Sequence, residues 1–555
     1  MLTWTLSFEH KQSLLVTFEH KFFLRNMGEK RGISRRTFVA SVIGGLLVGA
    51  AIGYFAKPRE VLEKIITSTV TQYETKTVTQ TVTAGVAPTV TPKREEELIR
   101  WWKEVSKPYS GKTAKILAQA WEPNFYLRDV VGPKFTQLTG IKIEWELTSN
   151  ELVMEKEILD MEKCTAIYTS TYDDQDMVGT WIRKGWTIPY TEIMNEHPEL
   201  VEPAFDPSDI FPLPYCMDAQ GRILSIPAEY YPKTYIYRTD LFEDPKEKEE
   251  FKKKYGYELK PPRYYDEMLD IAEFFTRPPD LYGFIGADGA KAHEALGFDF
   301  FETWFTSCGV SGEGLEPYPR DILPGWGINT KTWSASMKNG GMLDSPQAVR
   351  AIETFLKWLR YAPPGVREMI YAEAAEQVAA GRVAQAMTYT QFCATYSNPQ
   401  LSKIAGKFRL ALPPVDREYW KPTMPIGYAD ISGYTVPKCS PSPEIAFLWA
   451  QFVISPLNEL ERAKSIGTTV RTSVLMSPEL DPLDAKFGGL FSLIRDPTAR
   501  KYFVGTPLEI GDYAPLLYVY YTTLAKAVSG ELTPEETAKE LAKAIDEKLQ
   551  ELGYR

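Results

Sequence analysis

Flat aromatic rings and planar polar groups follow several predicted strands of this 555-residue chain. Aromatic rings can stack on the apolar C–H faces of a sugar, and carboxylates or amides can bond pairs of hydroxyl groups. Because ligands of open α/β sheets bind outside the carboxyl ends of the strands, residues at these positions are candidates for binding. The candidates that follow predicted strands are Trp121, Glu122, Tyr172, Asp173, Asp174, Tyr389 and Gln391. Their chemistry predicts a saccharide site.

Each of these candidates also has a structural alternative. An aromatic ring taken alone is more often packed in a hydrophobic core than exposed to a ligand. The acid run DDQD at 173–176 is also typical of a helix N-terminus, where carboxylates cap free N–H groups. The clustering of the candidates at strand ends is therefore what favours ligand binding.

The composition excludes several kinds of function. The net charge is −10 and the pI is near 5.3, with basic residues interspersed among acids, so the chain has no basic stripe for nucleic acid. The four histidines and five cysteines show no metal-ligand spacing and no Cys-x-x-Cys pair. We therefore predict no metal ion and no cofactor, and catalysis that depends on histidine is poorly supported. In an exported chain, the cysteines allow one or two disulfides and leave at least one free thiol.

The first candidates are positioned by a predicted strand, helix and strand. Residues 115–121 (KILAQAW) are typical of a short buried strand, and residues 124–138 predict a helix that Pro133 interrupts and Gly140 ends. Residues 141–147 (IKIEWEL) alternate apolar with polar side chains, as a second strand does. This succession predicts a βαβ unit with parallel strands, and the fold class is α/β.

The stretch 424–471 combines a strand, a proline-rich turn and a helix. Residues 427–436 alternate as one short strand, and the prolines and serines after them predict a capped helix that begins near Glu444. Apolar residues recur in that helix at helical spacing, which predicts one buried face, and the helix ends before Pro456.

This stretch and three others resemble extracellular solute-binding protein family 1 of ABC importers, the family of maltose-binding protein. The other matching segments are AAGRVAQAM (379–387), IPAEYYPKTYIYRTDLF (226–242) and residues 261–275. Their order along one chain carries the resemblance, which covers residues 112–555. The sequence departs from the family at the exit GTTVR (467–471), where the usual proline is missing.

The resemblance implies an α/β fold of the type II periplasmic-binding-protein class, in which two hinge-linked lobes enclose a ligand cleft. It assigns residues 112–229 and 430–470 to lobe I, and residues 230–429 and 471–555 to lobe II. The chain would then cross between the lobes three times.

The resemblance also implies further site residues. Those at or beside the crossings are Glu229, Tyr230, Tyr231, Asp430 and Arg471. Those in the helix that resembles the stacking segment of the family are Asp299, Phe301 and Trp304. For Arg471, a salt bridge at the hinge is the alternative role.

Residues 1–56 predict an export leader. The motif SRRTF (34–38) matches a twin-arginine signal, and we interpret Met27 as the start of translation. The 19 uncharged residues at 38–56 would span about 28 Å as a helix, and the basic residues before them place the bulk of the chain outside the cytoplasm. We expect an uncleaved membrane anchor, followed by a Thr-rich stalk and linker at 57–111.

Together these features predict an extracytoplasmic receptor anchored to the cytoplasmic membrane by an N-terminal helix. It would capture a sugar, such as an oligosaccharide, by hinge closure and deliver it to ABC permease subunits. One alternative is the same fold with a polyamine, glycerol phosphate, peptide or ferric ion as its ligand. Another is an extracellular glycosidase that uses Glu122 and Asp174 as acid and base.

Overall fold

The computed structural model describes residues 92–287, 294–315 and 320–555 of the chain. The predicted leader, the anchor and the Thr-rich part of the stalk lie outside the described residues. Within the described ranges, no helix is long and apolar enough to cross a membrane.

The described residues contain ten strands in two sheets. They are β1 Thr113–Gln119, β2 Lys142–Thr148, β3 Ser170–Asp173, β4 Ile226–Pro227, β5 Tyr231–Arg238, β6 Gln385–Tyr389, β7 Phe408–Ala411, β8 Gly427–Asp430, β9 Gly433–Thr435 and β10 Phe503–Val504. The first sheet has the order β2-β1-β3-β9-β4, and the second has the order β10-β8-β5-β6 with β7 also paired to β5. We call the first sheet and the residues packed around it the first lobe. We call the second sheet and the residues packed around it the second lobe.

Helices cover the faces of both sheets. The α-helices are Pro92–Val105, Glu122–Tyr126, Gly132–Thr139, Asn150–Lys163, Gln175–Lys184, Tyr190–Glu196, Thr239–Phe242, Pro245–Tyr255, Tyr265–Phe275, Glu294–Asp299, Pro346–Trp358, Tyr371–Ala379, Cys393–Ser397, Pro443–Val453, Pro456–Ile466, Thr472–Leu475, Asp481–Asp484, Leu490–Arg495, Pro497–Lys501, Tyr513–Ser529 and Pro534–Glu551. Two π-helical segments are Leu127–Val131 and Phe300–Phe305. Short 3-10 helices are Lys107–Tyr109, Pro198–Leu200, Pro207–Asp209, Leu213–Cys216, Met337–Asn339, Leu359–Tyr361, Val366–Glu368, Thr390–Phe392 and Pro478–Leu480.

The predicted βαβ unit is confirmed. β1 and β2 are parallel, with Ile116 opposite Trp145. Gly140 ends the intervening helix in the left-handed conformation, at φ 73°, where a side chain would be strained. The first strand ends at Gln119, so Trp121 lies in the turn that begins the helix rather than on the strand.

The predicted single strand at 427–436 is wrong. The structure divides it into β8 in the second sheet and β9 in the first sheet, with Ile431 and Ser432 between them. The backbone carbonyl of Ser432 accepts hydrogen bonds from the N–H groups of Ala228 and Glu229, which lie between β4 and β5. Two passages of the chain between the sheets are therefore bonded side by side.

The helix Pro443–Val453 is more deeply buried than predicted. Every residue from Ile445 to Val453 is buried, not one face alone. The reason is that aromatic side chains pack on it from opposite sides, with Trp449 against Trp145 at 5.5 Å and Phe447 against Tyr190 at 5.6 Å. The expected serine cap is also absent, because the side chain of the N-cap Ser442 makes no capping bond.

The linker predicted to extend to residue 111 ends earlier. The helix Pro92–Val105 packs on the first lobe, where Leu98 and Trp102 are buried. The indole N–H of Trp102 donates to Glu202 Oε1 at 2.9 Å. Leu98, Trp102 and Val105 recur at helical spacing, so this segment has an apolar face that the Thr-rich sequence before it lacks.

The first lobe contains one disulfide, between Cys164 and Cys439. It joins the end of the helix Asn150–Lys163 to the segment before the helix Pro443–Val453. The thiols of Cys216, Cys308 and Cys393 are free and buried. One disulfide and three free thiols lie within the range that the five cysteines allowed.

Candidate ligand cleft

The candidate site lies where the two sheets meet. The end of β3 pairs with β9, with Asp173 opposite Gly433, and the start of β5 pairs with the end of β8, with Tyr231 opposite Asp430. Because both pairs adjoin Ser432, side chains from both lobes converge on this point. The predicted fold would have its ligand cleft at such a junction.

Three of the predicted aromatic residues form a wall on one side of this point. The ring of Trp121 lies 6.3 Å from that of Tyr172 and 6.0 Å from that of Tyr231, measured between centroids. The hydroxyl of Tyr172 donates to the buried carboxyl of Glu229. The indole N–H of Trp121 is buried and has no hydrogen-bond acceptor among the described residues. This wall combines flat rings, a carboxyl and an available donor.

Buried carboxyl groups from both lobes lie near one another at this junction. Asp174 caps the helix Gln175–Lys184 and accepts from the backbone N–H of Asp176 at 3.4 Å. Burial, and then the nearby carboxyls of Asp176 and Asp430, raise the pKa of Asp174 well above its usual range. Burial raises the pKa of Asp430 to about 6, although the hydroxyl of Ser432 donates to it at 2.5 Å. Burial, followed by Asp430, also raises the pKa of Glu229.

Asp176 joins the two lobes, a role that the predicted site did not include. Its carboxyl accepts from the hydroxyl of Tyr513 at 2.7 Å and from that of Thr506. Burial raises the pKa of Asp176 to about 7. The neighbouring Gln175 side chain bonds both the backbone N–H and the carbonyl of Thr506, each at 2.5 Å. The acid run at 173–176 was the sequence signal, but its interpretation as a local cap did not reveal the partners in the second lobe.

A buried lysine organises the second-lobe side of the cleft. Lys233 is 1% exposed, forms an ion pair with Asp299 and lies 3.3 Å from Glu302 Oε2. The hydroxyl of Tyr389, which is opposite Lys233 in the sheet, also donates to Glu302. Burial raises the pKa of Glu302 to about 8, although the charge of Lys233 opposes this rise. Sequence reasoning missed Lys233 and Glu302, and a lysine inside an otherwise apolar strand was the available signal.

Trp304 and Phe301 lie in the core of the second lobe. The ring of Trp304 is stacked between Tyr265, at 5.2 Å, and Trp358, at 6.0 Å. Phe301 stacks on Trp326 at 4.6 Å. Both side chains are fully buried. The core-packing alternative therefore describes their positions, and neither face of Trp304 is open to a ligand.

Arg471 and Tyr230 also have structural partners. The guanidinium of Arg471 donates to Asp209 at 2.8 Å and to the backbone carbonyls of Ala204 and Ile454. The salt-bridge alternative therefore describes Arg471, whose partners all lie in the first lobe. Tyr230 packs edge-on against Phe211, with centroids 4.9 Å apart.

The remaining candidates divide between core and cleft. Asp173 is buried in the first lobe and accepts from the indole N–H of Trp181 at 2.9 Å. Glu122 accepts from the hydroxyl of Thr395 at 3.2 Å and so links the two lobes. The side-chain oxygen of Gln391 is buried and has no hydrogen-bond donor among the described residues.

Metal binding has no structural support in the described ranges. No group of three or more histidine, cysteine, aspartate or glutamate side chains there could hold a metal ion.

Comparison with known proteins identifies the family. The family model described as bacterial extracellular solute-binding protein matches residues 120–458, which is more than half of the chain. Comparison of the sequence with curated proteins found no match.

Several solved structures share the fold over the full length of their chains. One is an ABC transporter solute-binding protein from Agrobacterium radiobacter K84 in complex with ribitol, with a TM-score of 0.63 and 21% identity, covering 80% of this chain and 100% of that chain. Another is maltose-bound MalE3 of T. maritima, with a TM-score of 0.60 and 18% identity, covering 79% and 100%. A third is the GacH receptor of Streptomyces glaucescens, with a TM-score of 0.60 and 15% identity, covering 79% and 98%.

The two sheets and the family match agree with one another. This chain belongs to the bacterial extracellular solute-binding protein family.

Proposed function

We propose that this protein captures a saccharide between its lobes and delivers it to an ABC permease. The observation that carries the proposal is the wall of Trp121, Tyr172 and Tyr231 around the carboxyl of Glu229, at the junction of the two sheets. The aromatic rings can stack on the C–H surface of a sugar, and the carboxyl can accept hydrogen bonds from its hydroxyl groups. Structures that share the fold are bound to ribitol and to maltose, which supports a ligand of this class.

The proposed contacts come from both lobes and from the crossings. The first lobe and the crossings supply Trp121, Glu122, Tyr172, Asp174, Glu229, Tyr231 and Asp430, and the second lobe supplies Tyr389 and Gln391. Hinge motion about the crossings at 228–230 and 431–432 would open and close the cleft. Closure would bury the saccharide and change the surface that the permease meets, so ligand binding and docking are coupled.

We also propose that the leader, with the motif at 34–38 and the uncharged stretch at 38–56, exports and anchors the protein, and that the Thr-rich segment from residue 57 holds the lobes away from the membrane. The support is the uncharged stretch at 38–56 and the twin-arginine motif before it. Cell fractionation with mass spectrometry of the N-terminus tests this assignment. An intact stretch at 38–56 in the membrane fraction is expected, and a soluble mature chain that lacks it would contradict the anchor.

The ligand class is tested by thermal unfolding of the full-length protein in detergent. The probes are mono- and oligosaccharides, polyamines, peptides, glycerol phosphate and ferric citrate. A ligand at 100 times its Kd adds about 2.7 kcal/mol to the free energy of unfolding, which raises Tm by several degrees. We expect one saccharide class to do so and to be recovered unhydrolysed. A shift with a non-sugar probe alone would refute the saccharide proposal, and hydrolysis of the saccharide would indicate a glycosidase.

The wall is tested by replacing Trp121 with alanine. Loss of one stacking ring weakens binding by about 1 to 3 kcal/mol, which is roughly fivefold to 150-fold in Kd. The matched control is Trp101→Ala, because Trp101 is also partly buried but packs against Trp102, outside the cleft. Equal affinities for the Trp121→Ala variant and the wild type would remove Trp121 from the site.

A further inference from the structure

Three carboxyl groups lie together at the junction of the two sheets. Asp174 directly follows β3, and Glu229 and Asp430 lie at or beside the two crossings. The backbone N–H of Glu229 donates to the carbonyl of Ser432 at 3.1 Å, and the hydroxyl of Ser432 donates to Asp430 at 2.5 Å. We call Asp174, Glu229 and Asp430 the junction carboxyls. Strand ends and crossings set their positions.

The junction carboxyls have no cationic partner. Among the residues that the structure describes, none of the three forms an ion pair with a lysine or an arginine. Arg462, whose charge acts on Glu229, is itself paired with Glu459. Lys233 is paired with Asp299. The negative charge at the junction is therefore not balanced by a neighbouring side chain.

The junction carboxyls oppose the ionisation of one another. Burial is the largest cause of the raised pKa of Glu229, and the charge of Asp430 raises it further. Burial also raises the pKa of Asp174 most, followed by the charges of Asp176 and Asp430. Because ionised carboxyls in a buried site repel one another, a proton or a cation must neutralise them.

The junction carboxyls adjoin the aromatic wall of Trp121, Tyr172 and Tyr231. Asp430 is opposite Tyr231 where β8 pairs with β5, and the hydroxyl of Tyr172 donates to Glu229. The wall is thus an independent feature that bears on the same ligand. Flat rings beside uncompensated negative charge are typical of sites that hold an ammonium group, through cation–π attraction and ion pairing.

Hydrogen-bond acceptors outnumber available donors beside the wall. The hydroxyls of Tyr172 and Ser432 already donate to junction carboxyls, and Asp174 accepts from the backbone N–H of Asp176. An ionised carboxylate accepts hydrogen bonds and donates none, whereas an ammonium group donates three and accepts none. An ammonium group therefore complements this surface better than a hydroxyl does, while the indole N–H of Trp121 can serve a sugar oxygen.

We propose that the saccharide bound by this protein carries a protonated amino group, which lies against the aromatic wall and is bonded by the junction carboxyls. This inference rests on the proposed function, because it assigns a charge to the ligand of the same cleft. The ring carbons of the sugar stack on the wall, and the ammonium group supplies the cation that the chain itself does not place there.

The test compares sugars that differ in one kind of group. Full-length protein in detergent is titrated at neutral pH with glucosamine and glucose, with galactosamine and galactose, and with the glucosamine trimer and cellotriose, which share one linkage. The amino member of at least one pair should bind roughly tenfold more tightly than its hydroxyl partner, since charge-assisted hydrogen bonds are about twice as strong as neutral ones. N-Acetylation of that amino sugar removes the charge and should abolish the gain.

Two variants locate the amino group. Asp430→Asn and Asp174→Asn remove a negative charge with little change of shape, and asparagine caps a helix as well as aspartate does. Each should weaken binding of the amino sugar roughly tenfold and leave the hydroxyl partner unchanged. The matched control is Glu202→Gln, because Glu202 is also 1% exposed but bonds Trp102 and Ser455 instead of the wall. The control should keep both affinities.

The outcomes separate this inference from the proposed function. If a neutral sugar binds as tightly as its amino partner in every pair, the amino group is refuted and saccharide capture stands. If no saccharide binds, both fail, and binding of spermidine alone would then indicate an amine without a sugar. Amino-sugar affinity that both asparagine variants leave unchanged would also overturn the inference.

Discussion

Replacing Lys233 with methionine should destabilise the second lobe strongly. The lysine is 1% exposed, and the two carboxyls that it contacts, Asp299 and Glu302, are 0% and 4% exposed. Methionine fills a similar volume but leaves both carboxyls without their cation. Asp299 keeps a bond from the indole N–H of Trp304 at 3.2 Å, and Glu302 keeps one from Tyr389. The loss is therefore mainly electrostatic.

The expected size follows from the burial of the cluster. Removing one partner of a buried ion pair costs about 3 to 5 kcal/mol, because the remaining charge is desolvated. For a folding unit of 150 to 250 residues, each kcal/mol lowers Tm by about 2 to 4 °C. Together these values predict a decrease in Tm of about 10 °C for Lys233→Met.

Differential scanning calorimetry of the full-length protein measures this change. The control is Lys421→Met, which removes a lysine whose contact with Glu313 is equally direct, at 2.6 Å, but whose side chain is 60% exposed. A surface pair contributes at most about 1 kcal/mol, so Tm should change by less than about 4 °C. If Lys233→Met changes Tm no more than Lys421→Met, the reasoning from burial is refuted. A double-mutant cycle with Asp299→Asn should show that the two effects are not additive.

Three further predictions follow from other contacts. Burial raises the pKa of Asp176 to about 7 from 3.8, so the folded protein keeps a proton that the unfolded chain has released between about pH 4 and pH 7. The free energy of unfolding, measured by urea titration, should therefore fall as pH rises through this window. Asp176→Asn should reduce the slope of this free energy against pH by up to about 1.4 kcal/mol per pH unit. An unchanged slope would contradict the raised pKa of Asp176. Arg471→Met should lower the free energy of unfolding by about 3 kcal/mol, because it leaves Asp209 without its cation. Saccharide affinity, measured below the Tm of the variant, should stay the same. A loss of affinity while the variant is fully folded would instead indicate that Arg471 contacts the ligand. Replacing both Cys164 and Cys439 with serine should lower the free energy of unfolding by about 5 kcal/mol, since the disulfide closes a loop of 275 residues. A reductant should then have no further effect on the Tm of the double variant. An unchanged Tm in the double variant would show that the disulfide does not stabilise the protein.

Local patterns predicted the parts of the fold that local forces determine. The β1 and β2 strands and the helix between them follow from periodicity and from Gly140, because each signal lies within a few residues of the element that it defines. The pairing of β3 with β9 was not predictable in this way. These strands are separated by about 260 residues, and periodicity contains no information about such a partner.

Site prediction had the same limit. Trp121 and Tyr172 were found because each follows a predicted strand. The structure places the two rings side by side, although Tyr172 lies on β3 itself and not after it. Trp304 has the same residue type and an equally acidic neighbourhood, but its ring is enclosed by Tyr265 and Trp358. The spacing of aromatic residues in the sequence shows which of them share one face of a helix. It does not show which side chains pack against the two faces of each ring.

We propose that a saccharide binds at the wall of Trp121, Tyr172 and Tyr231. Isothermal titration calorimetry of full-length protein with the oligosaccharide that raises Tm most tests it directly, with wild type and Trp121→Ala compared at one pH. We expect one site per chain in the wild type and a roughly fivefold to 150-fold weaker Kd in the variant, with the sugar recovered intact. Equal Kd values in both proteins would contradict it.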